Sequence, residues 1–143
     1  MVVYEASARI RASRPQVWNV LADVESWPAW LSTVRSVEGQ SGGELREGAK
    51  FVVSQPRLPQ AVWCVATVEP ARGFTWESRA PGTRIVAEHV LASRLDGSTD
   101  LFLRLSFHGL VGKLIGRLTR ATSLRYLETE ASALQLAVEG RSS

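Results

Sequence analysis

Cysteine is nearly absent from this sequence of 143 residues: Cys64 stands alone, which excludes an intramolecular disulfide and any cysteine-rich metal site. No motif surrounds it, so it reads as a small buried hydrophobe. Histidine is almost as scarce, with only His89 and His108. H-E-x-x-H, G-x-S-x-G and a phosphate-cradling glycine loop are all missing, so no metal, cofactor or catalytic residue is assigned. Long apolar runs are lacking too, which argues against integral membrane association. The first residues, "MVVYEASARIRAS", carry no basic stretch followed by an apolar one, and a cytoplasmic location is expected. Net charge is +3 with a pI near 9.6. The arginines are nevertheless scattered from Arg9 to Arg141 without a basic run or interleaved aromatics, so nucleic acid is not an expected partner. Oligomeric state is not readable from these patterns.

What is present fits one domain over residues 1–143, a length that allows roughly two thirds of the unfolded surface to be buried. Residues 2–11 alternate as a half-buried strand, with Tyr4, Ala6, Ala8 and Ile10 on one side. Ser13 is placed to cap a short helix with Pro15 near its start, and Val17, Trp18, Val20 and Leu21 supply its apolar face. A second turn follows Asp23 and ends at "SWPAW", because Pro28 disfavours helical geometry at Trp27. β-rich runs then occupy 32–40, 49–55, 60–70, 73–80, 83–95 and 99–109, separated by turn chemistry that includes a "DGS" hairpin signal. From Leu110 to Val138 apolar residues recur every three or four positions: Leu110, Leu114, Leu118, Ala121, Leu124, Leu127, Ala131, Leu134 and Val138. That spacing predicts one long helix with a single buried stripe. The tail "GRSS" is expected to fray.

The predicted order is strand, two short helices, six strands and one long helix, hence an α+β fold with a seven-stranded antiparallel sheet. One helix is too narrow to cover the concave face of such a twisted sheet. The short helices must close the remainder, or a cavity stays open.

"SARIRASRPQVWNVLADVESWPAWLSTVRSVE" and "EHVLASRLDGSTDLFLRLSFHGLVGKLIGRLTRATSLRYLETEASAL" together resemble the polyketide cyclase/dehydrase branch of the START-like superfamily, also called SRPBCC or Bet v 1-like. The shared features are Val-Trp at the head of the first helix, the D-x-E-x-W-P-x-W turn, the D-G-x-T hairpin and R-Y-L-E-x-E-A in the last helix. The resemblance implies a helix-grip fold, with a curved sheet wrapped around the C-terminal helix and an apolar cavity between them. It implies lipid-like, polyketide-like or aromatic ligands. It does not choose between carriers, sensors and enzymes.

Candidate cavity residues follow from strand and helix parity. Leu103, Leu105 and Phe107 form a strict apolar face, expected to point inward. Whether His89 pairs across from Arg104 or from a leucine depends on the form of the "DGS" turn. His89 is then either a structural imidazole or a ligand contact. Trp63 and Trp76 suit either core or cavity wall, since an indole offers apolar area and one N–H donor. Leu118 belongs to the helix stripe, and Tyr126 offers a hydroxyl beside it. Glu130 shares the face of Tyr126, and the charges of this helix are read as solvated. Gly109, Gly112 and Gly116 mark either close helix-to-sheet packing or a hinge. Around Pro28, Trp30 is expected to point inward and Trp27 to sit at the rim.

The expected function is non-enzymatic binding or carriage of a hydrophobic or aromatic small molecule. The alternative is a polyketide cyclase, aromatase or dehydratase in which His89, Arg104 or Tyr126 moves protons. An interaction module without ligand would require an interior filled by its own side chains.

Overall fold

A computed structural model describes residues 1–141; Ser142 and Ser143, the end of the tail expected to fray, lie outside the described residues. The chain forms β1 (Val2–Ile10), α1 (Arg14–Leu21), a 3-10 turn (Val24–Ala29), β2 (Ser36–Gly39), β3 (Lys50–Ser54), β4 (Ala61–Glu69), β5 (Gly73–Ala80), β6 (Thr83–Ser93), β7 (Thr99–His108), α2 (Leu110–Leu118) and α3 (Arg120–Arg141). Gly140 and Arg141 continue α3.

All seven strands join one antiparallel sheet in the order β1-β7-β6-β5-β4-β3-β2. A register shift between Val65 and Thr67 bends β4 against β5, as a bulged residue does. Tyr4, Ala6, Ala8 and Ile10 face the core from β1, and Leu101 and Leu103 face it from β7. The β6–β7 turn spans Leu95, Asp96 and Gly97 between hydrogen-bonded Arg94 and Ser98 (2.9 Å). Gly97 takes φ 87°, a left-handed value suited to glycine. This turn length sets the register: His89 lies opposite Leu103, and Glu88 opposite Arg104.

Two short segments close one end of the sheet. Ser13 caps α1 reciprocally with Gln16, whose side-chain oxygen accepts from the Ser13 amide at 2.9 Å, pairing two amides that would otherwise lack partners. The following turn is 3-10 with Pro28 inside it. Glu25 of this turn accepts a hydrogen bond from the Gly39 amide at 2.9 Å, tying it to β2.

The expected single helix is two. Thr119 ends α2 with φ −101° and ψ 17°, and its hydroxyl donates to the Ile115 carbonyl at 2.7 Å. Such back-bonding competes with the regular ladder and bends helices. α3 keeps the predicted stripe from Leu127 onward, burying Leu127, Ala131, Leu134 and Val138 against the sheet, while Ala121 is exposed and Leu124 half-buried. α2 reverses it: Gly112 and Gly116 are buried, while Leu110, Leu114 and Leu118 are 86%, 56% and 77% exposed. The glycines do so because a Cβ at Gly116 would stand 2.8 Å from the Phe107 ring. The glycine pattern is therefore close helix-to-sheet packing. Cys64 is half-buried, not buried.

Candidate functional site

Sheet, 3-10 turn and the two C-terminal helices enclose a cavity of about 200 Å³. Its floor comes from alternate residues of the central strands, because side chains two apart share a face. Trp76 of β5, Ile85, Ala87 and His89 of β6, and Leu103, Leu105 and Phe107 of β7 all line it. Trp63 of β4 joins them, and Tyr126 of α3 lines the opposite wall. The leucine face of β7 thus points inward.

Trp30 and Leu118 do not line the cavity. The two indoles of the turn exchange places relative to expectation. Trp27 is buried and donates its Nε1–H to the Leu21 carbonyl at 2.9 Å, which leaves its ring against Trp76 (5.4 Å) and His89 (5.8 Å). Trp30 is half-buried and packs behind Trp27 at 5.9 Å. The 3-10 geometry carries Trp27 into the cavity wall and leaves Trp30 partly buried against the core, off the cavity. Leu118 is exposed for the reason given above, the glycine face of α2 having taken the sheet.

The ring cluster is continuous. Trp63 and Trp76 lie 5.8 Å apart, and Phe74 meets Trp76 edge-on at 5.3 Å. His89 stacks on Phe74 at 4.1 Å with planes 9° apart. Such contacts hold aromatic side chains in defined orientations as well as burying area.

His89 is 4% exposed, and both ring nitrogens have neighbours. Nδ1 lies 3.2 Å from the Phe74 carbonyl; because a carbonyl can only accept, Nδ1 carries a proton. Nε2 lies 3.4 Å from Oε1 of Glu130, whose side chain is 16% exposed. That buried oxygen makes no hydrogen bond among the described residues. The pair places an imidazole and a carboxyl side by side at the cavity wall, held by a strand on one side and α3 on the other. Glu130 is the residue sequence reading assigned to solvent. The available signal was its i, i+4 relation to Tyr126, which places both on one helix face.

Tyr126 donates its hydroxyl to the Pro56 carbonyl at 2.7 Å, so it latches the β3–β4 loop instead of presenting a free donor. Gln55 and Leu58 of that loop line the cavity, as do Thr119, Thr122 and Ser123 at the α2–α3 junction. Among the described residues no cluster of histidine, cysteine, aspartate and glutamate could hold a metal ion.

The model of the family described as polyketide cyclase/dehydrase and lipid transport matches residues 1–139. The chain belongs to that family. Among solved structures, this family member resembles the protein XoxI from Bacillus cereus, with TM-score 0.76 and 16% identity over 100% of this chain and 99% of that one. The Zhui aromatase/cyclase from Streptomyces sp. R1128 superposes with TM-score 0.75 and 17% identity, covering 99% and 95%. A START superfamily protein from Mycobacterium smegmatis gives 0.72 and 14%, covering 98% and 99%. At these identities the likeness is one of fold, and that fold is the START/Bet v 1-like helix grip. No curated protein matches the sequence. No helix among the described residues is long and apolar enough to cross a membrane.

Proposed function

We propose that the chain, residues 1–143, is a single START-like domain that binds a one- or two-ring apolar molecule bearing one hydroxyl or carbonyl group, and that it works in the cytoplasm. The observation that carries this reading is the cavity wall itself: indole, phenyl and leucyl surface interrupted by the His89–Glu130 couple. Apolar lining with a few placed polar groups is the usual make-up of small-molecule sites. Size supports the ring count. An apolar cavity of about 150 Å³ holds benzene, whereas drug-sized ligands occupy about 300–1,000 Å³. The interior of about 200 Å³ suits a phenol or naphthol better than a sterol or an extended polyketide chain. Trp63, Trp76, Leu103, Leu105 and Phe107 would supply the apolar contacts, and His89 the polar one.

The test is a titration followed by tryptophan fluorescence, since Trp27, Trp63 and Trp76 border the cavity. 2-Naphthol is expected to bind more tightly than naphthalene, with the difference lost in His89→Phe. Equal affinity of wild type for both, or preference for palmitate, would overturn the reading.

The couple favours a second reading. An imidazole set beside a carboxyl can take a proton from a keto substrate and return it, as cyclisation or dehydration requires. Turnover of a trial poly-β-keto substrate by wild type, abolished in His89→Gln, would establish this activity. Binding without turnover leaves the carrier.

A further inference from the structure

The outward face of α2 has no use in the cavity. Leu110, Val111, Leu114 and Leu118 are all exposed, and on a helix of 3.6 residues per turn they form one contiguous stripe. On one flank of that stripe lie Lys113 and Arg117, followed by Arg120 at the start of α3. On the other flank lies Ile115, which with Thr119 lines the cavity. The sequence around it is one-signed: residues 101–127 contain Arg104, Lys113, Arg117, Arg120 and Arg125 and no aspartate or glutamate. Glu5 shares a surface depression with Arg117 and Arg120 but forms no ion pair with either among the described residues.

We infer that α2 is a docking ridge for an anionic lipid surface, with Leu110, Val111, Leu114 and Leu118 entering the acyl boundary while Lys113, Arg117 and Arg120 meet lipid phosphates. An exposed aliphatic stripe beside basic residues is the pattern of helices that lie in the interface plane. Neither feature suffices alone, because apolar insertion and attraction to anionic headgroups act additively. The patch lacks the tryptophan, tyrosine and phenylalanine that enrich protein–protein interfaces. Its aliphatic groups stand out from the surface, which suits a fluid acyl layer that needs no matching groove. Charge complementarity thus selects lipid phosphate, and the aliphatic ridge selects a bilayer over an acidic protein. Docking in this orientation brings the flank carrying Ile115 and Thr119, hence the cavity wall, toward the bilayer. This surface is independent of the ligand reading above, and its test needs no ligand.

The experiment is flotation with vesicles of phosphatidylcholine alone or with about one third phosphatidylglycerol, a strongly anionic surface. Wild type is expected to float with anionic vesicles at low salt, to be released by high salt, and to ignore phosphatidylcholine. Neutralising Lys113→Gln/Arg117→Gln is expected to lower partitioning about thirtyfold, a factor of about five for each cation. Leu114→Ser/Leu118→Ser is expected to lower it by at least about tenfold, with an unchanged thermal midpoint because both side chains are already exposed. Wild type that stays unbound at low salt overturns the proposal, as do variants that float like wild type. A concentration-dependent dimer abolished by Leu114→Ser/Leu118→Ser, without vesicle binding, would reassign the ridge to self-association.

Discussion

At Glu130 a single side chain changes meaning with its neighbour. On the helix it is one of several carboxylates; facing His89 at 3.4 Å it becomes half of the polar break in an apolar cavity wall. Glu130→Gln is expected to leave the fold intact, because the amide can still donate to Nε2. Nitrogen NMR should then show His89 as the Nδ1–H tautomer, its Nε2 accepting from the amide; an Nε2–H tautomer in this variant would refute the bond from Nδ1 to the Phe74 carbonyl. Tyr126→Phe removes the bond to the Pro56 carbonyl and should cost about 1 kcal/mol. Its sharper consequence is faster ligand exchange, measured by stopped-flow fluorescence, as the β3–β4 loop is unlatched. The inward parity of Leu103, Leu105 and Phe107 was legible because strict alternation leaves only two choices and one was uniformly apolar. Trp27 and Trp30 were not, because a 3-10 turn around Pro28 has neither helix nor strand periodicity to assign their directions.

The elements repeat this contrast. Predicted strand runs became strands where alternation met turn residues, and the α1 cap formed as spaced. The last helix misled, because periodicity reports that a stripe exists and not which way it faces. In α3 the stripe is buried; in α2 glycines displace leucines, since only a side chain of no size permits the approach to Phe107. Two substitutions on neighbouring turns should therefore diverge. Gly116→Ala meets the Phe107 ring at 2.8 Å and is expected to destabilise by about 1–3 kcal/mol. Gly112→Ala meets the Thr83 methyl at 3.4 Å and β6 backbone atoms at 3.5 and 3.7 Å, all ordinary contacts, and should be neutral or stabilise by up to about 1 kcal/mol through helix propensity. Urea unfolding of both variants checks the pair.

For the whole molecule, the fold class and the order of β3 to β7 follow from short connections that let neighbouring strands pair, whereas β1 reaches β7 without one. The His89–Glu130 pair does not follow from them, because it joins β6 to α3 across a distance no local pattern encodes. Acid stability also belongs to this scale. Partial burial works against ionising Glu77, yet hydrogen bonds from Arg79 and Arg84 prevail and hold its carboxyl below the ordinary range. Hydrogen bonds from Arg11 do the same for Glu139, joining β1's end to α3, and the Ser98 hydroxyl does so for Asp96. Each carboxyl binds its proton more weakly folded than unfolded, so the stabilisation is present above the ordinary carboxylate range of about 4. It is lost as pH falls through the lowered folded values. The thermal midpoint should fall with acidification below that range, and Glu77→Gln should blunt the fall.

The pairing of β1 with β7, in which Tyr4 lies opposite Leu105, has a consequence in time. Most of the chain separates these partners, so the loop they close is long and its entropy must be spent before the contact repays it. Hairpins among β3 to β7 can form early from local turns. The seam between β1, β7 and α3 comes last, and with it the closed interior: during synthesis the cavity exists only after the final helix has emerged.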